Sequence, residues 1–245
     1  MAIAMRSFSA SSTGNITAAT NIITTAPTGK SVGDLLVLSV NMKGIGSAAQ
    51  VPTLSANSTG WAGITSASIT ALGATATNDN VQKWWYRVAD GSANDTPTVS
   101  ITAPSNDAML SYIMWDVTGA NNASPIDVGG SASAQAGLTT AIPAITTTAA
   151  GDMQIGCWSV TNNGTGQSVF TTPTGFTNAG LNGNATGNAN GTQYGAYRII
   201  ASASALTAAS ATHTLANVAQ TMVTVAFFAG ATATTNKIGW GVSIR

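Results

Sequence analysis

Apolar and polar positions fall into one pattern that this chain writes twice. The stretch Lys30-Ser31-Val32-Gly33-Asp34-Leu35-Leu36-Val37-Leu38-Ser39-Val40 joins Gly-Asp turn chemistry to a nearly continuous apolar run. Ala149-Ala150-Gly151-Asp152-Met153-Gln154-Ile155-Gly156-Cys157-Trp158 repeats it, with Asp152 placed 118 residues after Asp34. Each run is too short for a good helix and is bounded by turn residues, which predicts a buried strand. Other landmarks return in order. Pro52…Gly60-Trp61 is echoed by Pro173-Thr174-Gly175-Phe176, Trp85-Tyr86-Arg87-Val88 by Ala196-Tyr197-Arg198-Ile199, and 111–119 by 222–230. The chain reads as a duplicated β unit.

Residues 81–89 alternate most clearly. Gln82, Trp84, Tyr86 and Val88 share one face, and Val81, Lys83, Trp85, Arg87 and Ala89 share the other. A Trp on each face predicts that neither is simply solvated. Residues 1–19 are small and polar and read as an N-terminal arm. A β-sandwich is expected over 20–230, with one repeat at about 20–120 and the next at about 138–230. Residues 231–245 alternate again (Ile238, Trp240, Val242, Ile244) and read as a C-terminal strand or docking arm.

Helix signals are nearly absent, and Gly stands at 26 positions between short strand-like runs. The expected fold is therefore all-β, a jelly-roll-like antiparallel β-sandwich built from two pseudo-repeats with extended terminal arms. Two architectures satisfy this. Both repeats could interleave their strands in one sandwich, or each could fold as its own. Interleaving is favoured, because about 95 residues make a marginal core and a doubled length buries a larger fraction of its surface.

Composition narrows the function classes. Charged residues make up 7% of the chain, against about 25% in ordinary soluble proteins. The net charge is zero, no residue is Glu, and eight dispersed Lys and Arg form no basic stripe for nucleic acid. No apolar run approaches the roughly 20 residues that span a bilayer. The first residues lack a basic region ahead of a long apolar stretch, so no secretory signal is expected and folding in the cytoplasm is. One cysteine excludes an internal disulfide. So little charge predicts a surface of Thr, Ser, Asn and Ala, some of it covered by other chains.

Candidate chemistry is sparse. His213 is the only histidine, and it lies in a strand-like segment with no Gly-x-Ser-x-Gly elbow. One His and one Cys exclude the usual zinc sites, and Cys157 reads as a small core residue. Asp90, Asp95, Asp107 and Asp116 are candidates for a glycosidase pair, but three of them lie in turn sequences that favour Asp on their own account. Asp90-Gly91…Asn94-Asp95 lacks EF-hand spacing for calcium. No catalytic residue, cofactor or metal is assigned. Asp34 and Asp152, with Arg87 and Arg198, recur in both repeats of a charge-poor chain, which predicts Arg–Asp pairs at the core edge that fix strand register. Most of the six Trp are expected in the core. Trp85 and Trp240 are the two expected to face a sugar or a neighbouring subunit.

Taken together, Gly33-Asp34-Leu35-Leu36-Val37, Thr59-Gly60-Trp61, Tyr86-Arg87-Val88-Ala89-Asp90-Gly91, and Asp116-Val117-Thr118-Gly119 followed by Ser124-Pro125-Ile126-Asp127 resemble duplicated β-sandwich virion proteins of tailed bacteriophages, over roughly 20–230. Those are capsid decoration (cement) or tail-associated proteins. The resemblance implies a non-enzymatic virion component bound to the major capsid protein or other virion subunits; with the composition above, the expectation is an oligomer made in the host cytoplasm, with neither nucleic acid nor membrane as partner. A decoration protein is the first expectation. A carbohydrate-binding tail fibre or adhesin domain that recognises a host-surface glycan is the alternative.

Overall fold

The two Gly-Asp segments open the central strands of the molecule. The computed structural model describes residues 2–16, 18–44, 51–67, 69–71, 79–101, 108–134, 137–162, 166–184, 190–215 and 219–230. Gly33 and Gly151 both take positive φ, 91° and 84°, a turn geometry that glycine reaches without a Cβ clash.

The first half contains β1 (Ala4–Ile16), β2 (Thr20–Ile23), β3 (Leu35–Gly44), β4 (Thr53–Leu54), β5 (Ala62–Gly63), β6 (Ile69–Ala71), β7 (Asp79–Val88), β8 (Thr98–Ile101) and β9 (Ala108–Thr118). The second contains β10 (Ile126–Ala134), β11 (Thr139–Ile142), β12 (Ile145–Thr146), β13 (Met153–Asn162), β14 (Phe170–Thr171), β15 (Thr177–Asn184), β16 (Asn190–Ile199), β17 (Ala205–Leu206), β18 (Ala209–His213) and β19 (Ala219–Phe227). The large sheet of the first half runs β1-β9-β3-β7-β5, with β6 also on β7, and that of the second runs β10-β19-β13-β16-β15. Small sheets β2-β8-β4 and β11-β18-β14 cover their outer faces, and a ribbon β12-β17 completes the second half. The fold is an all-β, antiparallel sandwich, and the strand order of one half is the strand order of the other.

Strand pairing stays within each half. Among the described residues, one isolated bridge, Ala120 to Ala229, joins them. The interleaved sandwich favoured on sequence grounds is therefore not formed; each half closes its own small sandwich, and the large sheets stack face to face. The cause is visible in β3, which is apolar on both faces. Leu36, Leu38, Val40 and Met42 pack toward the small sheet with Val99, Ile101 and Leu110. Leu35 and Val37 point the other way, onto Met153, Ile155, Val223, Val225 and Phe227 of the second half. The shared central layer supplies the core area that an isolated half lacks.

Bulk on one side of this layer meets space on the other. Trp84 and Trp115 lie 5.1 Å apart in the first half. Gly195 stands at the register position of Trp84, opposite Cys157 as Trp84 is opposite Ser39. A Cβ on Gly195 would lie 2.6 Å from Trp115, whose indole N–H donates across the interface to the Ala179 carbonyl at 2.6 Å. Farther along, the layer turns polar. Gln82 and Gln193 donate to the Ser39 hydroxyl at 3.2 and 2.5 Å, and Asn80 donates to the carbonyls of Ser159 and Ala219 at 3.2 and 3.1 Å. The bonds of Gln193 and Asn80 cross between the sheets, so sliding one sheet on the other would leave those buried amides without these partners.

The segment expected as an N-terminal arm is mostly a strand. β1 runs antiparallel along β9, with a bulge at Arg6 between Met5 and Ser7. It is built from Ser, Ala and Thr, and Ser7 donates to the Thr28 carbonyl at 2.7 Å. The expected strand at 231–245, with Trp240, lies outside the described residues.

Candidate functional site

Of the two repeated arginines Arg87 meets acids, though not Asp34, and Arg198 meets none among the described residues. The β1 bulge turns Arg6 onto Asp34 at 3.1 Å and Asp116 at 3.6 Å. Asp34 also accepts the Ser31 N–H at 2.6 Å. Arg87 does not pair with Asp34. It binds the turn after β7, with Asp90 at 2.5 Å and Asp95 at 3.0 Å. Asp95 is wholly buried, takes Lys30 at 2.7 Å, and accepts the N–H groups of Asp90 and Gly91 at 3.3 and 3.0 Å. Asp90 and Asp95 do lie in the turn after β7, and Asp95 there anchors two cations, Lys30 and Arg87.

The second half keeps the positions and changes the partners. Arg198 donates to Gln154 Oε1 at 2.7 Å and lies 4.6 Å from the centre of the Phe176 ring, without an acid. Asp152 lies beside Asp127, the bulge residue of β10 as Arg6 is of β1. Burial, together with that neighbouring carboxyl, pushes Asp152 up to about 6. In the first half, burial and then Asp34 push Asp116 up to about 7, although Arg6 opposes this. Both carboxyls are fully buried.

Arg87 also organises the surface next to it. Its guanidinium donates to the Thr59 carbonyl, and a Cβ on Gly60 would strike it. The loop so held presents Trp61, whose indole N–H donates to the Asn94 carbonyl at 2.6 Å. Beside Trp61 on the sheet lie Lys83 and Trp85. Gly63 pairs with Trp85, and having no side chain it leaves that indole uncovered. Trp61, Trp85, Lys83, Ser58, Thr53 and Leu54 line a cleft of about 300 Å³ between the small sheet and the edge of the large one. A second cleft of about 280 Å³ shares Gly63, Lys83 and Trp85 and continues toward Thr65. Trp61 and Trp85 rest their inner sides on the Leu36–Leu38–Val40 core, so both rings are fixed.

The second half closes the corresponding space. Register places Tyr194 where Lys83 stands, Ala196 where Trp85 stands, and Trp158 where Val40 stands. Tyr194 stacks on Phe170 at 5.3 Å and packs against Trp158 at 5.8 Å, and Phe176, the counterpart of Trp61, meets Trp158 at 6.0 Å. One topology thus gives a filled aromatic plug in one half and an open cleft in the other, so the opening is set by side chains and not by the fold.

The remaining candidates sit elsewhere. His213 is buried, 5.5 Å from the Phe170 ring and 3.2 Å from Gln220, and burial lowers its pKa. Burial pushes the Cys157 thiol up to about 12. Asp90, Asp95 and Asp116 hold the arginines, and Asp107 lies outside the described residues. Of the two aromatics expected at a contact surface, Trp85 lines the cleft and Trp240 is outside the described residues. Trp61, one of the six Trp mostly expected in the core, also lines the cleft, and Lys83 gives no sequence signal because a lone Lys in a strand carries no pattern of its own. Among the described residues no helix is long and apolar enough to cross a membrane, and no group of three or more His, Cys or Asp gathers as metal ligands would. Comparison with known family models and with curated proteins finds no match for the chain.

Proposed function

We propose that this chain is a non-enzymatic structural subunit of a bacteriophage virion, a decoration protein that holds major capsid subunits by surface contact. The observation that carries the reading is that most of its few charges are spent on partners within the chain. Arg6, Lys30 and Arg87 are tied to Asp34, Asp116, Asp90 and Asp95, and Arg198 to Gln154 and Phe176. With those charges paired, the exposed Ser, Thr, Asn and Ala dock against a neighbour without desolvating free ions. The sequence resemblance to virion sandwiches supports the same reading.

Co-sedimentation of the purified chain with undecorated heads tests it. Binding that persists from low salt to about 1 M, where charges farther apart than about 3 Å are screened, is the expected result. No binding, or binding abolished by salt, overturns it. The cleft favours a second reading in a different class, recognition of a host-surface glycan.

A further inference from the structure

We infer that the Trp61–Trp85–Lys83 cleft binds an acidic saccharide, a pyranose ring that carries a carboxylate. The inference rests on the glycan reading and is independent of the decoration reading. Three observations lead to it. First, two indoles held from behind, Trp61 by Asn94 and both by the Leu36–Leu38–Val40 core, flank the opening. Fixed aromatic faces with hydroxyls beside them suit the C–H face and hydroxyl rim of a sugar ring. Ser58 and Thr53 donate to the Ser55 and Ser100 carbonyls at 3.0 and 3.4 Å, which leaves their oxygens able to accept from a ligand.

Second, Lys83 is unlike the other cations. Arg6, Lys30 and Arg87 hold acids, Arg198 holds Gln154, and Lys43 is engaged too. Of the described Lys and Arg, Lys83 alone makes no ion pair or hydrogen bond through its side chain. It is half-buried and shared by both parts of the cleft. An ammonium in that setting is complemented by an anion, and a charge-assisted hydrogen bond there is stronger than a neutral one. No carboxylate lines the cleft, so the anion comes with the ligand.

Third, the second half replaces Lys83 and Trp85 together, by Tyr194 and Ala196, and fills the space with rings. The cation, the platform and the opening thus occur together in one half and are absent together in the other. The two adjoining volumes sit at the lower end of the roughly 300–1,000 Å³ of small-molecule sites, room for a ring or two of a chain end.

The full-length chain is titrated with a glucuronic-acid disaccharide, 3′-sialyllactose and lactose, followed by calorimetry and by the indole N–H signals in NMR. The same titrations are run on Lys83→Gln and Trp85→Phe, with thermal melts to show that both fold. The acidic sugars are expected to shift the Trp61 and Trp85 indoles, the latter assigned by its loss in Trp85→Phe. Lys83→Gln should weaken them about tenfold or more, the usual cost of a lost hydrogen bond to a charged group. If lactose binds as well as the acidic sugars and Lys83→Gln changes nothing, the acidic inference is overturned while the glycan reading stands. If no sugar binds, or the shifts fall on other tryptophans, both are overturned.

Discussion

At the scale of single residues, Arg87 and Asp95 form the hinge between core and surface. Arg87→Ala leaves the wholly buried Asp95 with Lys30 as its one cation and unpins the Trp61 loop. Loss of one member of a buried pair costs about 3 kcal/mol or more. Urea denaturation should show a destabilisation of that order, with Trp fluorescence shifted to the red already in the native state; an unchanged midpoint would refute the hinge. The buried carboxyls predict a pH dependence. Asp116 and Asp152 are raised to about 7 and about 6, above the roughly 3.9 of an unfolded Asp. The folded state therefore holds extra protons between about pH 4 and 7, and their stabilising contribution is lost as pH rises through that range. Asp90 and Asp95 have the opposite sign. Arg87 hydrogen-bonds Asp90, and Lys30 and Arg87 outweigh the burial of Asp95, so both are lowered and lose stability in acid. Tm should peak in mild acid and fall toward pH 8, and Asp152→Asn should flatten that fall. A Tm still rising to pH 8 would contradict the assignment. The recurrence of Asp34, Asp152, Arg87 and Arg198 marked where buried charge lies. It did not disclose the partners, because Arg6 reaches Asp34 only through a bulge in a strand with no apolar signature.

At the scale of elements, legibility follows burial. β3 and β13 were readable because they are covered on both faces, which demands a continuous apolar run. β1 and β10 were not, because edge strands of Ser, Ala, Thr and Gly are held by backbone pairing and hydroxyls and leave no hydrophobic period. Which sheet covers the second face of β3 was also unreadable, since alternation names a face and not its neighbour. The contact of Gly195 with Trp115 gives a prediction at this scale. Gly195→Ala places a methyl 2.6 Å from the ring and should cost about 1–3 kcal/mol by overpacking. Gly63→Ala meets nothing closer than Trp85 at 3.8 Å, so it should melt like the wild type while it covers part of the cleft. Equal melting temperatures for the two variants would count against the packing described.

At the scale of the whole molecule, two sandwiches share one central layer. Leu35, Val37, Trp84 and Trp115 pack with Met153, Ile155, Val225 and Phe227 in a single cluster, so neither half can open without exposing the other. Scanning calorimetry should give one cooperative transition with matching calorimetric and van't Hoff enthalpies; two separated transitions would mean that the halves are independent. A block so joined, with most of its few charges paired within the chain, suits a passive part of a particle. The measurement that bears most directly on the proposed virion role is cryo-electron microscopy of phage particles assembled with this chain labelled and its copies counted. Many copies spread in symmetric positions over the head are the predicted result. Absence of the chain from the particle would contradict it.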